Sequence, residues 1–302
     1  MSEIVAETPS EAATTNAITY RKSSRRSANR NSTIFTVILL VIGSLLIALP
    51  FFWMITTSLK KAGDVYLYPP EWIPSPPQWS NYREVFDVVP MGRIVLNTTI
   101  IVAGVLLGTL FSCSFAAYGF ARLRAPGRNF IFLIVLATMM LPATVTLVPT
   151  YIFFNKIGWI DSFKPLILPA WFGSPFFIFL LRQFYLGLPR ELEESARLDG
   201  ASNYRIWWSI MLPLSKPALA TVAVFTFIGT YNDFFGPLIY LSSESKRTIA
   251  VSLAYFNGSP RAGPQMHLVM AMTLLAIVPS VLVFIFAQRV FVRGIVTGAV
   301  KG

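Results

Sequence analysis

Few side chains in this 302-residue chain are equipped for chemistry, and two small groups that hold four of its 14 acids stand out. Asn232 and Asp233 lie inside an apolar run. An ionisable group at a bilayer centre costs roughly 2.5–3.5 kcal/mol on insertion scales, so it is normally paired or turned toward water. Two readings stand for this pair, with Tyr231 beside it. One is a polar lining that exchanges hydrogen bonds with the hydroxyls of a passing solute; the other is a buried polar clamp between helices. The second group, Glu191, Glu193 and Glu194, opens the polar stretch 191–217, ELEESARLDGASNYRIWWSIMLPLSKP. Neither group comes with a nucleophile. Cys113 and His267 are each the sole residue of their type. That excludes an internal disulfide and a multi-histidine metal site; with no paired acids beside them, no hydrolytic constellation is expected within the chain. No G-x-x-x-x-G-K-[ST] phosphate loop occurs, so ATP chemistry is not expected of this chain.

The elements that must position these acids are apolar. The chain is 54% hydrophobic and only 13% charged, with a mean hydropathy of +0.60. Soluble domains carry about 25% charged residues. Six apolar runs, 34–54, 94–118, 130–154, 163–184, 218–241 and 268–291, account for the difference. Each reaches the roughly 20 residues that a helix needs to cross a bilayer. Lipid offers backbone amides no partner, so the runs are expected to be helical. The fold class expected is an all-α polytopic membrane protein with six transmembrane helices. The first run exceeds the apolar core of a signal peptide, and no small-residue cleavage site follows it, which points to a retained helix.

The net charge of +11 could suggest nucleic acid, but the positions of the charges argue for topology instead. Sixteen of the 25 basic residues lie in alternate segments: the amino tail, the connections around Arg122–Arg128 and Arg182–Lys216, and the carboxyl end. Basic residues accumulate on the cytoplasmic side. Both termini and the 191–217 stretch are therefore expected inside the cell, in a multi-pass membrane protein. Residues 1–32 show no apolar period and read as a disordered tail; its basic cluster serves as a topology signal or touches anionic lipid. Residues 33–93 hold the first span and an external loop, in which five prolines over 69–77 predict turns and extended chain and Trp72 and Trp79 suit the bilayer interface. Residues 94–291 form the core and 292–302 a carboxyl tail. Pro142, Pro149, Pro169 and Pro175 predict interruptions in the third and fourth spans, either around a translocation path or as packing kinks. Gly104 and Gly108 suggest a close helix contact.

The local physics of 191–217 predicts two short helices. Three glutamates favour the positive end of a first helix dipole. Gly200 permits the left-handed residue that ends it, and Ser202 or Asn203 can cap a second helix from about Tyr204. Tyr204, Trp207, Trp208 and Met211 form an apolar stripe at helical spacing, and Pro213 and Pro217 break the chain before the fifth span. The product is a helix–turn–helix along the cytoplasmic face that offers acids and aromatics to a soluble partner. A purely lipid-lying amphipathic helix would explain the tryptophans but not the acids.

The order Glu194-Ser195-Ala196, Asp199-Gly200-Ala201, then Ile210, Leu212 and Pro213 resembles the E-A-A-x-x-x-G-x(9)-I-x-L-P loop of ABC importer permeases, with Ser195 replacing an alanine. Further stretches strengthen the likeness: Trp79, Asn81 and Tyr82; Ala116 to Arg122; Tyr231 to Phe234; and the terminal Gly298 to Gly302. The resemblance covers nearly the whole chain after the tail, and is closest to the smaller permease of maltose-type carbohydrate importers.

That resemblance implies a type I ABC importer (MetI-like) transmembrane domain working with a second homologous permease subunit, two ATPase subunits and an extracytoplasmic solute-binding protein. Sugar would be the cargo and lipid the surroundings, with no nucleic acid partner. The chain would bind no cofactor, since ATP and magnesium would sit on the ATPase subunits. Glu194 would pair with a basic group in the ATPase cleft, Gly200 would set the turn, and Ala196 and Ala201 would allow close approach. Lys301 and Gly302 would touch the ATPase pair, and the stretch 251–267 would be a loop reaching the binding protein. A permease of this class for glycerol-phosphate or another polyol stays open. An ion-coupled secondary transporter is a poor alternative, because Asp233 is the only acid in any span.

Overall fold

The structure is a computed structural model that describes residues 30–258 and 265–299, with side chains over 33–258 and 265–288. Lys301 and Gly302 lie outside the described residues. Among the described residues every regular element is helical. Residues 30–51 form one unit, and the chain from Phe52 onward forms a second.

The first helix, α1 (Arg30–Ser58), begins slightly earlier than the expected end of the tail at residue 32. Beyond it come a 3-10 turn, Ala62–Asp64, and the proline-rich stretch 69–77, which forms no helix, before α2 (Ser80–Val88). Asn81 pins that short helix: its amide donates to the carbonyls of Ser58 and Lys60, both at 2.8 Å. The Tyr82 hydroxyl lies 2.9 Å from Ser58 Oγ.

The central element is α3 (Met91–Arg122), against which α7 (Pro175–Leu186) and α11 (Lys216–Tyr231) pack. Its buried positions include Ile94, Asn97, Thr98, Ile101, Gly108, Ala117 and Ala121. Ile94, Asn97, Thr98, Ile101 and Gly108 return to one face of a 3.6-residue helix, while Ala117 and Ala121 lie on the other face toward its end. The expected close contact at the two glycines is present. A Cβ on Gly104 would lie 2.7 Å from Ile167 Cγ2, and one on Gly108 only 2.5 Å from Trp171 Cδ1.

The third, fourth and fifth apolar runs are not continuous helices. The third divides into α4 (Arg128–Ala137) and α5 (Ala143–Lys156), bent by 96° around Pro142. The fourth passes from α6 (Lys164–Ile167) through a 3-10 stretch containing Pro169 to Gly173, at φ 90°, and restarts as α7 with Pro175 in its first turn. Between α7 and α11 come α8 (Glu191–Leu198), α9 (Asn203–Ile206) and α10 (Leu212–Leu214). The fifth run stops at Tyr231 and resumes as α12 (Phe235–Tyr240). At 1.5 Å per residue the 16 residues of α11 cover about 24 Å, less than the roughly 30 Å hydrocarbon core. The break and α12 must complete that crossing.

The connection expected as a projecting loop at 251–267 is helical through Gly258, in α13 (Ile249–Gly258). Val251, Ser252 and His267 are buried. Its Pro260, Gly263 and Pro264 lie outside the described residues. The last helix, α14 (Met266–Ala299), carries Pro279 without interruption and runs past the expected start of the carboxyl tail at residue 292. Four described stretches, Thr33–Ser58, Met91–Arg122, Lys164–Leu186 and Met266–Gln288, are long and apolar enough to cross a membrane. The number rises to six when two bent helix pairs are each taken as one span.

Candidate functional site: the helix pair at 191–214

Helix α8 carries all three of its glutamates in its first turn, where the unpaired N–H groups favour negative charge. Its end is closed by backbone geometry. Gly200 sits at φ 79°, and the Ala201 N–H donates to the Ala196 carbonyl at 2.9 Å. This six-to-one hydrogen bond around a left-handed glycine is a Schellman ending. Ser202 then caps α9 by accepting from the Arg205 N–H at 3.3 Å. A π-helical turn, Trp207–Met211, connects α9 to α10. Pro213 occupies the start of α10 instead of breaking the chain, and the turn falls at Ser215, whose hydroxyl donates to the Met211 carbonyl at 2.7 Å.

The expected apolar stripe splits. Ile206, Trp207 and Met211 are buried against Cys113, Ala117 and Tyr118 of α3 and Leu181 and Tyr185 of α7. Trp207 meets Phe111 and Phe115 edge-on, with ring centroids 5.6 and 5.2 Å away. Tyr204 and Trp208 are exposed instead. Tyr204 and Trp208 form one i,i+4 row and Trp207 and Met211 the next, so the core covers the second row and leaves the first exposed.

The acids also divide, and only part of the cluster is available to a partner. Glu193 is buried: its Oε1 lies 3.0 Å from Arg122 Nε, with the two side chains 7% and 3% exposed. The contact is an ion pair without the alignment of a hydrogen bond. The Arg122 guanidinium also donates to the carbonyls of Tyr185 and, at 2.6 Å, Leu188. One residue thus ties the end of α3 to the end of α7 and to α8. Burial raises the Glu193 carboxyl above its ordinary range, despite the opposing pull of Arg122, Arg197 and Arg190. Arg197 reaches Glu193 at 3.9 Å and Asn203 Oδ1 at 3.3 Å, tying α8 to α9. The expectation that all the acids face outward therefore fails at Glu193; its spacing on α8 turns it toward Arg122.

Glu194, Ser195, Asp199 and Gly200 remain exposed on the outer surface of the pair. Ala196 and Ala201 pack at the edge of the core, Ile210 and Leu212 are half-buried and Pro213 is exposed. Sequence reasoning recorded Arg122 only as part of a basic end and a motif. A basic residue closing a span, followed some seventy residues later by three near-consecutive acids, was the available signal for their pairing.

The other candidate residues lie at the far end of α11, about 24 Å away by helix rise. Tyr231 is buried and donates its hydroxyl to the Ala276 carbonyl of α14 at 2.7 Å, so it serves as a strut between helices. Asn232 is exposed, and its amide donates to Ile228 O at 2.8 Å. Asp233 Oδ1 accepts from the Gly236 N–H at 3.1 Å and caps α12. The same carboxylate lines a small cavity of about 150 Å³ with Thr98, Leu166 and Thr248.

A further acid escaped sequence reasoning because it lies outside the apolar runs. Asp161, at φ 55°, accepts from the Ser242 and Ser243 N–H groups at 3.0 and 2.9 Å and from the Ser243 hydroxyl. Lys246 Nζ lies 3.0 Å from its Oδ2. These donors hold its carboxyl well below the usual carboxylate range.

The arrangement pairs a rigid transmembrane core with a short helix–turn–helix that presents a carboxylate outward. Residues 104–297 match the family described as "Binding-protein-dependent transport system inner membrane component". The chain is similar to the sn-glycerol-3-phosphate transport system permease protein UgpE of Yersinia pestis bv. Antiqua (strain Antiqua), 34% identical over 88% of this chain and 97% of the relative. It is also similar to a probable ABC transporter permease protein, YurM, of Bacillus subtilis (strain 168), 31% identical over 85% of this chain and 84% of that protein. A crystal structure of a bacterial ABC transporter involved in the import of the acidic polysaccharide alginate has a chain with the same fold. Its TM-score is 0.76 at 24% identity, covering 87% of this chain and 97% of that one. The match runs from within α3 through α14 as far as residue 297, and with it the chain belongs to the family of binding-protein-dependent transport system inner membrane components.

Proposed function

We propose that this chain is a permease subunit of an ATP-binding-cassette importer for a sugar or oligosaccharide, and that it forms half of the translocation path with a second, homologous permease. Two ATPase subunits hold ATP and magnesium, while an extracytoplasmic binding protein delivers the cargo. The chain itself catalyses no reaction. The observation that carries this reading is the helix pair at 191–214, fastened to α3 and α7 by Trp207 and the Arg122–Glu193 pair while Glu194 faces outward.

A mechanical link needs both properties. A handle that flexed on its own anchor would lose the motion that it receives, and a handle without an exposed recognition group could not be gripped. Glu194 supplies that group, and Ser195, Asp199, Gly200 and Ala201 shape the surface around it. Closure of the ATPase dimer displaces the pair, and α3 and α7 carry the displacement into the bundle as a shift between two populated states. The carboxyl tail, with Lys301 and Gly302, is assigned a second contact with the ATPase pair. Asn232 and Asp233, at the break in the fifth span, are assigned to the cargo path.

Glycerol-phosphate or another polyol is the alternative cargo, favoured by the name of the 34%-identical relative. The test is reconstitution in proteoliposomes with the partner permease, ATPase subunits and binding protein. Cargo-stimulated ATP hydrolysis and uptake are expected only in the full assembly. Uptake by this chain without an ATPase would defeat the proposal, and the cargo that stimulates hydrolysis separates sugar from glycerol-phosphate.

A further inference from the structure

A cavity of about 830 Å³ lies at the opposite end of the bundle from the 191–214 pair. That size is within the roughly 300–1,000 Å³ of small-molecule sites. Four connections meet around it: residues 88–90 before α3, Phe234 at the break in the fifth span, the turn with Glu244 and Arg247, and α13 with Ser252 and Tyr255; Gln265 closes the wall before α14.

Two polar atoms there have no hydrogen-bond partner among the described residues. They are the hydroxyl oxygen of Ser252, a residue 6% exposed, and Gln265 Oε1. Buried polar atoms are almost always paired with protein, water or ligand. Both residues line this cavity.

The charged wall is held in advance. Asn97 of α3 donates to the carbonyls of Ser245 and Arg247 at 2.9 and 3.1 Å. Thr98 Oγ1 accepts from the Ile249 N–H at 3.0 Å. Asp161 grips the same turn from its other side through Ser243 and Lys246. The Arg247 guanidinium lies over the Tyr255 ring, 4.0 Å from its centroid, and 3.2 Å from the Glu244 carboxylate. A turn whose backbone is fixed by its neighbours presents its side chains to a ligand with less chain left to order on binding.

We propose that this cavity binds a neutral sugar ring. Adjacent hydroxyls both donate and accept, and an arginine–carboxylate pair offers donors and acceptors side by side. Ser252 and Gln265 offer further oxygen partners, and the rings of Tyr255 and Phe234 offer apolar faces for the C–H faces of a pyranose. The Arg247–Glu244 pair has no net charge, and Glu244 opposes a phosphate or carboxylate that approaches Arg247. Phe234 follows Asp233 directly, so the cavity adjoins the fifth-span break. That cargo passes from here to Asn232 and Asp233 rests on the importer reading; the binding itself does not.

The test uses the full-length chain in nanodiscs, carrying Ser252→Cys. The rate at which a small methanethiosulfonate reagent modifies the introduced thiol is measured with glucose, maltose or trehalose, and with sn-glycerol 3-phosphate or glucuronate as anionic probes. At least one neutral sugar is expected to slow modification saturably, with the anions weaker. Tyr255→Leu, at a half-exposed ring, is expected to raise the half-protecting concentration about tenfold. Arg247→Lys, which keeps the charge but loses the fork, is expected to weaken protection by a smaller factor.

Protection by no sugar overturns the proposal, as does equal protection by the anions. So does protection unchanged by Tyr255→Leu, or a thiol that never reacts in a folded chain. ATPase stimulation in the full assembly is scored separately. Protection without stimulation retires the importer reading and leaves the site, whereas stimulation without protection does the reverse.

Discussion

Arg122 and Glu193 lie 3.0 Å apart, yet they belong to different helices and both side chains are almost wholly buried. The pair joins the last residue of α3 to the first turn of α8, and Arg122 adds two carbonyls from α7 and its exit. The helix pair is therefore anchored through a desolvated charge. Removing one member of such a pair typically costs about 3–5 kcal/mol, while replacing both by packed apolar groups is far milder.

Arg122→Ala is expected to destabilise the protein by about that amount, because Glu193 and two carbonyls lose their common partner. Arg122→Met with Glu193→Leu is expected to recover most of the loss. Thermal unfolding in detergent measures both, and equal loss in the single and double variants would dismiss the anchor role.

The Glu193 carboxyl is raised by burial, so the folded state holds its proton more tightly than the unfolded chain does. Its contribution to stability is then fully present below the unfolded value and declines as pH rises through the raised folded value. Glu193→Gln cannot ionise and is expected to flatten this part of the profile. Melting temperatures of the two proteins from about pH 4 to 7 give the comparison, and parallel curves would contradict the assignment.

Asp161 follows the opposite sign. Its donors lower its folded value, so its contribution is present above the unfolded value and is lost as pH falls through the folded one. Asp161→Asn keeps the shape but loses acceptor capacity toward Lys246 and the Ser243 hydroxyl. A loss of about 1–3 kcal/mol is expected, with faster hydrogen exchange at residues 242–249. Unaltered exchange there would show that the turn holds without it.

Glu194 is exposed and forms no ion pair among the described residues. Glu194→Arg should therefore leave the isolated chain within about 0.5 kcal/mol of its parent, while cargo-stimulated ATP hydrolysis in the assembled complex falls sharply. Normal coupling after this charge reversal would remove Glu194 from the docking contact.

Gly200 needs its left-handed conformation rather than space: nothing lies within 4 Å of a Cβ built there. Gly200→Ala is expected to cost about 1–2 kcal/mol, and Gly200→Asn less, because asparagine tolerates that region. Unfolding temperatures rank the two, and a harmless alanine would mean that the Schellman ending is not needed.

Much of this protein could be read along the chain. The bilayer's demand that backbone amides be satisfied within each segment makes apolar length a guide to the spans, and breaks fall at Pro142 and just before Pro175, whereas Pro149 and Pro279 sit inside continuous helices. Turn chemistry is equally local: Gly200, Ser202 and the acids of α8 act within a few residues of themselves, and they form the expected helix pair. What tertiary structure decided was direction. Three neighbouring glutamates are alike as a string, but only Glu193 points at Arg122, and of two adjacent tryptophans Trp207 packs inward while Trp208 stays exposed. Tyr231 could have faced a solute until Ala276 of α14 took its hydroxyl. Asp161 and the Arg247 turn come together from residues about 80 apart. Such meetings depend on how helices rotate and cross, and that is set by contacts between segments whose pairing a linear pattern does not encode.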